Sequence, residues 1–306
     1  MTFSKQIRNI VQNEDINFLL TNRIPRTAAT HFMGWFSKLR IRWLSRLSIA
    51  VWRVFTDLDL SEAKKQKFDS LHDCFTRELR EGARAVDFRP EVFISPCDAI
   101  VGECGRVVAG QLFQAKGFPY SIKELLGQNE DVMAWQDGWY VTLRLTSAMY
   151  HRFHAPYDGA IRKVVYMSGD TWNVNPIALK RVEKLFCKNE RAMISMTVGR
   201  EGYRVALVPV AAILVASIRL HAINTLFSTR YTGETTIECQ QGFVKGQELG
   251  WFEHGSTIIV FAPREFSLCS VIEPGSRVQM GQPLMNMPNE DASRHPSGAE
   301  YGGVSP

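Results

Sequence analysis

Three short segments of this 306-residue chain carry residue types that could do chemistry together. The first is Ser95-Pro96-Cys97-Asp98-Ala99, an acid in a turn between strands. The second is Tyr150-His151-Arg152-Phe153-His154-Ala155-Pro156. The third is Glu253-His254-Gly255-Ser256-Thr257, which leads into a strongly apolar run. Singly, each has an ordinary explanation. An Asp in a turn usually bonds nearby backbone, and Gly-Ser-Thr is commonly a turn entering a strand. A His-x-x-His pair needs further ligands to hold zinc, and no nearby Cys, Asp or Glu stands at a zinc spacing. His151 and His154 would share one face of a helix but lie on opposite faces of a strand. Together, Asp, His and Ser are the set needed for a hydrogen-bonded triad, in which the acid orients the base and the base activates the hydroxyl. The Gly before Ser256 leaves the preceding carbonyl sterically open, so that hydroxyl could attack a bond of its own chain.

The elements that must position these residues change character along the chain. Residues 16–56 hold seven basic residues, Arg23, Arg26, Lys38, Arg40, Arg42, Arg46 and Arg53, with no Asp or Glu, and include Phe32, Trp35, Phe36, Trp43, Trp52 and Phe55. From Phe36 to Phe55 the spacing predicts a helix. At about 100° per residue, Lys38, Arg42, Arg46 and Arg53 fall within one arc of roughly 80°, beside an apolar arc of Phe36, Leu39, Trp43, Leu47, Ala50 and Val54. A solvated face on a packed helix would give the same pattern, but ordinary surface helices mix charge signs. A basic face bordered by Trp and Phe suits a helix lying in a membrane interface. The expected membrane-binding residues are Lys38, Arg42, Trp43, Arg46, Trp52 and Arg53. The whole chain carries a formal +5 and this segment +7, so the remainder carries −2.

Phe68, Leu71, Phe75 and Leu79 predict a second helical region within 57–90, after capping residues at Asp57 to Glu62. Beyond Arg89-Pro90, short runs such as Val92-Phe93-Ile94, Tyr140 to Leu143, Val205 to Val208 and Thr257 to Phe261 alternate with Gly and Pro, which reads as strands. Helices are expected over Tyr120–Gly127 and Pro176–Asn189. Three stretches, residues 95–110, 154–170 and 270–284, share a loose rhythm of paired short strands, as compact barrels and sandwich-like folds do. The predicted fold is therefore α+β: a β-rich, barrel- or sandwich-like catalytic domain over 61–288, an N-terminal helical membrane-associating region over 1–60, and a polar, disordered tail over 289–306. With 45% hydrophobic and 22% charged residues the composition is that of a globular protein. No window of 18 apolar residues predicts a span, and the first residues lack the layout of a secretory signal. Six cysteines without C-x-x-C spacing read as free thiols.

Several motifs in order give the chain a resemblance to the phosphatidylserine decarboxylases, covering about Pro25 to Pro288. Phe75-Thr76-Arg77-Glu78-Leu79-Arg80 resembles the family's F-x-R-x-L-R segment, and Pro96-Cys97-Asp98 its P-A-D. Gln114-Ala115-Lys116-Gly117 with Tyr120-Ser121 is similar to Q-x-K-G-x-x-Y-S. Tyr150 to Pro156 matches Y-H-R-x-H-x-P, and Phe186 with Asn189-Glu190-Arg191 resembles F-x-x-N-E-R. Gly246-Gln247-Glu248-Leu249-Gly250 leads into Gly255-Ser256-Thr257 as in the family's G-x-E-x-G to G-S-T run.

The resemblance implies a proenzyme that cuts itself between Gly255 and Ser256 into a β chain, 1–255, and an α chain, 256–306. Ser256 would become an N-terminal pyruvoyl group, the only cofactor, with no metal. His154 is implied as the base acting on Ser256, Asp98 as its orienting partner, and His151 as a residue near the substrate carboxylate. Decarboxylation of phosphatidylserine to phosphatidylethanolamine would run through a Schiff base. The implied partners are phosphatidylserine, an anionic membrane surface and the two chains of one processed precursor. A homo-oligomer is left open, and no nucleic acid is expected. The implied place is peripheral, on the cytoplasmic face of a bacterial inner membrane. Three positions depart from the family pattern: His254 before Gly255, Ala99 where the family has Gly after the acid, and Met149 where an acid often precedes Tyr-His. Two other readings stay open: a pyruvoyl-dependent decarboxylase of a soluble amino acid, and an unprocessed membrane-binding module. A serine hydrolase is disfavoured, because Gly-Ser-Thr lacks the nucleophile-elbow pattern.

Overall fold

The computed structural model describes residues 14–22, 24–114, 118–127, 130–214, 217–253 and 256–288. The tail expected over 289–306, all of the first thirteen positions of the N-terminal region, Arg23, residues 115–117 of the Gln114–Gly117 motif, and His254 and Gly255 lie outside the described residues. The chain enters through helices α1 (Glu14–Asn22), α2 (Arg26–Phe36), α3 (Arg42–Phe55) and the short α4 (Leu71–Phe75). Strands follow: β1 (Val92–Ile94), β2 (Ala99–Arg106), β3 (Gln111–Phe113) and β4 (Pro119–Ser121). After α5 (Ile122–Leu126) come β5 (Trp139–Leu145), β6 (Arg152–His154) and β7 (Gly159–Met167). Helices α6 (Pro176–Leu179) and α7 (Leu185–Lys188) precede β8 (Arg191–Val198), β9 (Tyr203–Ala211), β10 (Ser217–Leu220) and β11 (Thr225–Ser228). The last are β12 (Thr236–Phe243), β13 (Glu248–Phe252), β14 (Ser256–Ala262), β15 (Ser267–Leu268), β16 (Arg277–Val278) and β17 (Pro283–Asn286).

An eight-stranded antiparallel sheet, ordered β12-β7-β8-β9-β14-β5-β2-β16, forms the middle layer. One face packs on the four-stranded sheet β11-β10-β13-β6 and the three-stranded sheet β1-β17-β15, through Phe93, Phe153, Ile218, Phe227, Phe252 and Leu284. The other face packs on α5, α6 and α7 through Ile122, Leu125, Ala178, Leu185 and Phe186. The α+β, strand-rich expectation therefore holds, and the barrel does not: among the described residues no sheet closes on itself. One edge strand, β12, is mostly exposed along its length, and the other, β16, is two residues long. Neither offers the long apolar edge that closure requires.

The predicted helices are shorter than their apolar spacing suggested. The segment Phe36–Phe55 is broken at 37–41, where the Ser37 carbonyl leaves the helix to accept the His72 N–H at 2.8 Å. Within 57–90 only Leu71–Phe75 is helical, capped by Ser70 on the Asp73 N–H; Asp59 turns the chain by bonding the Ser61 N–H at 2.8 Å. The stretch Pro176–Asn189 forms two short helices because Lys184 adopts a left-handed conformation, φ 53°. By contrast, Ser121 and Glu124 make a full capping box for α5.

The strand pairing fixes the end of the sheet where Ser256 stands. In β14, Ser256 pairs with Leu145 of β5 on one side and Ala211 of β9 on the other. Ala211 is itself clamped: its N–H donates to the Glu190 carbonyl and its carbonyl accepts from Asn189 Nδ2, both at 2.8 Å. Asn189, fully buried, also holds Trp172 by both its backbone groups. The Asn-Glu-Arg run thus serves as a brace for the neighbour of Ser256. Replacing Asn189 by Ala leaves three buried backbone groups unpaired and is expected to cost about 2–4 kcal/mol. Urea unfolding monitored by tryptophan fluorescence measures it, and a loss under 1 kcal/mol would refute the brace.

Candidate active site

The second histidine of the Tyr-His-Arg-Phe-His segment is held on three sides. His154 ends β6, and its backbone N–H donates to the Pro96 carbonyl at 2.8 Å, which ties the histidine strand to the turn carrying Asp98. Its Nδ1 is 2.9 Å from the Gly246 carbonyl and its Nε2 is 3.0 Å from the Tyr150 hydroxyl. A carbonyl only accepts, so Nδ1 carries the proton, and the Nε2 lone pair receives the Tyr150 O–H. Gly246 supplies that carbonyl from a left-handed turn, φ 82°, where a side chain would be strained. Burial lowers the pKa of His154, against the opposing pull of the Gly246 contact and, more weakly, of Glu248 and Asp98. The group is therefore a neutral base with its reactive nitrogen aimed at a hydroxyl.

Asp98 is nearly buried and committed to Arg84, whose Nε and Nη2 reach its oxygens at 2.9 and 2.5 Å; the Met280 N–H adds a bond at 2.9 Å. Arg84 continues to Glu62 at 2.8 Å. Both ring nitrogens of His154 are thus engaged by groups other than Asp98. The acid and Tyr150 nevertheless line one cavity of about 330 Å³, together with Arg77 and the 146–149 turn. Arg77 holds that turn through the Ala148 carbonyl at 2.9 Å.

His151 is fully buried, with its ring 3.9 Å from that of Phe75. Phe75 in turn stacks on Trp52 of α3, 5.6 Å between centroids and 15° between planes. A second cavity, about 320 Å³, opens at the same end of the sheet as Ser256, between Phe75, the last residues of β5 and the chain after β9. Ser256 is described by its backbone, as the first residue of β14. Just before it in sequence, Glu253 is tied to the helical region by Lys38 at 2.9 Å and His72 at 3.1 Å. Burial alone would raise its pKa; His72 and Lys38 outweigh that and bring it to about 2.

Of the residues expected to bind membrane, Arg42, Trp43, Arg46 and Arg53 are exposed on α3, with Trp43 68% accessible. Lys38 is spent on Glu253, and Trp52 is half-buried on Phe75. Phe32, Trp35, Leu47, Val51, Val54 and Phe55 are exposed beside them. Arg42, Arg46, Arg53 and Lys67 line a further cavity of about 480 Å³. No helix among the described residues is long and apolar enough to cross a membrane. Among them, too, no group of three His, Cys, Asp or Glu side chains is placed to hold a metal. Sequence reasoning gave no role to Tyr150, Arg84 or Glu253; the first lay inside a quoted motif, whereas an ion pair across distant segments leaves no local pattern.

Residues 71–286 match the family model described as phosphatidylserine decarboxylase. The chain is 31% identical over 279 residues to a phosphatidylserine decarboxylase proenzyme of Citrobacter koseri, covering 85% of this chain and 84% of that protein. It is 31% identical over 281 residues to the proenzyme of Escherichia coli O9:H4, with the same coverage. To the one of Klebsiella pneumoniae it is 29% identical over 302 residues, 92% of each chain.

The environment of His154 has a pH consequence. Because burial places its folded-state pKa below the ordinary 6.5, the unfolded chain binds the proton first as pH falls. The stability from the neutral ring is present above pH 6.5 and is lost as pH falls below it. Nitrogen-15 histidine spectra, with His154→Gln for assignment, should show the Nδ1-protonated neutral ring persisting below pH 6.5. A titration midpoint above 6.5 would contradict this reading.

Proposed function

The chain belongs to the phosphatidylserine decarboxylase family, and from that premise we propose that it is a proenzyme that cuts its own Gly255–Ser256 bond and then converts phosphatidylserine to phosphatidylethanolamine. The observation that supports this most is the place of residue 256, first in a central strand paired on both sides. A bond broken before such a residue leaves a new terminus that six residues of doubly paired strand still hold.

In the cut, the Ser256 hydroxyl gives its proton to a base and attacks the Gly255 carbonyl carbon. The peptide C–N bond breaks as the amine takes a proton, leaving an ester. A base then takes the α-proton of residue 256 as its Cβ–Oγ bond breaks, so that Gly255 leaves as a carboxylate and a dehydroalanine remains; water hydrolyses the imine tautomer of that group, releasing ammonia and leaving a pyruvoyl group at residue 256. His154 is the proposed base: it is neutral, its Nε2 lone pair faces the Tyr150 hydroxyl, and Tyr150, which lines the cavity, can pass a proton between the two. Asp98, across that cavity and fixed by Arg84, is proposed to favour the imidazolium that forms. The residues fit the group: a strand terminus held on both sides, a buried imidazole at His151 and a headgroup-sized cavity meet at one end of the sheet. The pyruvoyl group supplies a carbonyl for the substrate amine and an electron sink as carbon dioxide leaves. His151, packed against Phe75, is proposed to stand beside the departing carboxylate, where an apolar wall favours loss of its charge.

The helical region is proposed to dock the enzyme on the bilayer that holds its substrate. The exposed Trp43, Leu47, Val54 and Phe55 form an apolar surface and Arg42, Arg46 and Arg53 a basic one on the same helix. The proposed location is peripheral, on the cytoplasmic side of a bacterial membrane.

Two outcomes are expected. Mass spectrometry of the purified protein should give fragments 1–255 and 256–306, the second beginning with a pyruvoyl group, while Ser256→Ala stays whole and His154→Ala is cut at least about 100-fold more slowly. A wild-type chain that decarboxylates lipid without being cut would overturn the proposal, and release of carbon dioxide from free amino acids alone would move the substrate elsewhere. In vesicle flotation, replacing Arg42, Arg46 and Arg53 together by Gln should weaken binding to anionic vesicles on the order of 100-fold, at about 1 kcal/mol each. Unchanged binding would place the membrane contact elsewhere.

A further inference from the structure

Arg144 has no assigned role, and its surroundings are unusual. It is the next-to-last residue of β5 and lies directly across from Thr257, the residue after Ser256. Arg77, Arg84, Arg152 and Arg191 are each bound by carbonyls or carboxylates. Arg144 makes no hydrogen bond or ion pair with any described residue, and burial alone acts on it, lowering its pKa. It lines the cavity of about 320 Å³, with Phe75, Ser147, Asn173, Asn175 and Leu214. The Thr257 hydroxyl, fully buried on the same face of the strand pair, also has no partner among the described residues. A guanidinium drawn out of water without a counter-ion is costly unless something brings the anion.

We propose that Arg144 anchors the phosphodiester of the lipid headgroup in this cavity. The proposal rests on the family reading and names the group that fixes the substrate there. Two anions of phosphatidylserine could meet this cation, the carboxylate and the phosphodiester. The carboxylate loses its charge as carbon dioxide leaves, so a cation on it would stabilise the ground state more than the transition state and slow the reaction. The phosphodiester keeps its charge throughout, so binding it costs nothing in the chemical step. The cavity is at the lower end of small-ligand sites, which suits a headgroup and leaves the acyl chains outside. The amphipathic helix borders the cavity: its Trp52 stacks on Phe75, and Phe75 is both a wall of the cavity and the neighbour of His151.

The test compares processed wild type, Arg144→Gln and Arg144→Lys on phosphatidylserine in mixed micelles. Arg144→Gln should be cut normally and be no less stable than wild type, since it removes an uncompensated charge. Its KM should rise about 10- to 100-fold with kcat within about threefold, and Arg144→Lys should recover part of the loss. Glycerophosphoethanolamine, which has the phosphodiester and no carboxylate, should inhibit wild type and lose potency by the same factor in Arg144→Gln. Its binding to Ser256→Ala, with and without Arg144→Gln, gives the same comparison by calorimetry if the single variant stays uncut. A rise in kcat together with KM, with unchanged inhibition, would assign Arg144 to the carboxylate and overturn the proposal, as would a fall in kcat at constant KM or kinetics like those of wild type. Failure of the family reading is separate: wild type itself would then neither process nor decarboxylate.

Discussion

The register of β14 is the constraint on which the rest depends. A strand in the middle of a sheet spends its backbone groups on both neighbours, and here those neighbours run beside residue 256 itself, at Leu145 and Ala211. Any chemistry at the start of this strand inherits its position from the sheet and not from the chain that precedes it. That separates two demands that usually conflict. Were the bond before residue 256 lost, that residue would still be held to within the tolerance of a strand pair. The brace at Ala211 by Asn189 and Glu190 belongs to the same logic, because slippage of β9 by one residue would turn every side chain of its pairing to the other face.

Charge is distributed around this end of the sheet with a clear division. Arg77 and Arg84 are consumed by structure, one on the Ala148 carbonyl and the other on Asp98 and Glu62. Both guanidinium groups line the 330 Å³ cavity beside Asp98, and the Tyr150 hydroxyl links the wall of that cavity to His154. The 320 Å³ cavity on the other side of the 146–147 turn is different: its wall mixes apolar residues with Ser147, Asn173 and Asn175, and its cation has no protein partner among the described residues. One cavity suits proton movement and the other suits an anionic ligand.

Much of this was legible in the sequence, for identifiable reasons. Runs such as Tyr140 to Leu143 and Thr257 to Phe261 are central strands buried on both faces, and continuous apolar β-branched runs are the direct signature of that burial. Asp98, His151, His154 and Ser256 stood out because their residue types are rare in combination. What was illegible was decided by single long-range contacts. The helix expected over 36–55 stops where Ser37 meets His72, and the one over 176–189 bends at Lys184, a residue with no intrinsic preference for φ 53°. The partner of His154 Nδ1 is a backbone carbonyl, which no side-chain pattern encodes. Arg144 in Thr-Leu-Arg-Leu reads as ordinary strand alternation, and only the missing counter-ion sets it apart.

The helical region is more than an appendage, because two of its residues face inward. Lys38 closes on Glu253, immediately upstream of the segment entering the proposed cut, and Trp52 closes on Phe75, which touches His151. Glu253 is half-buried, and Lys38 and His72 facing it hold its pKa down against the effect of burial. A shift of the helices would therefore separate this carboxylate from its cations and move Phe75, one wall of the 320 Å³ cavity. The same helices expose Trp43, Val54 and Phe55 to whatever lies outside. Those two short side-chain links join the outer face of the helices to the surroundings of residue 256, although Lys38 and Glu253 lie 215 positions apart in the chain.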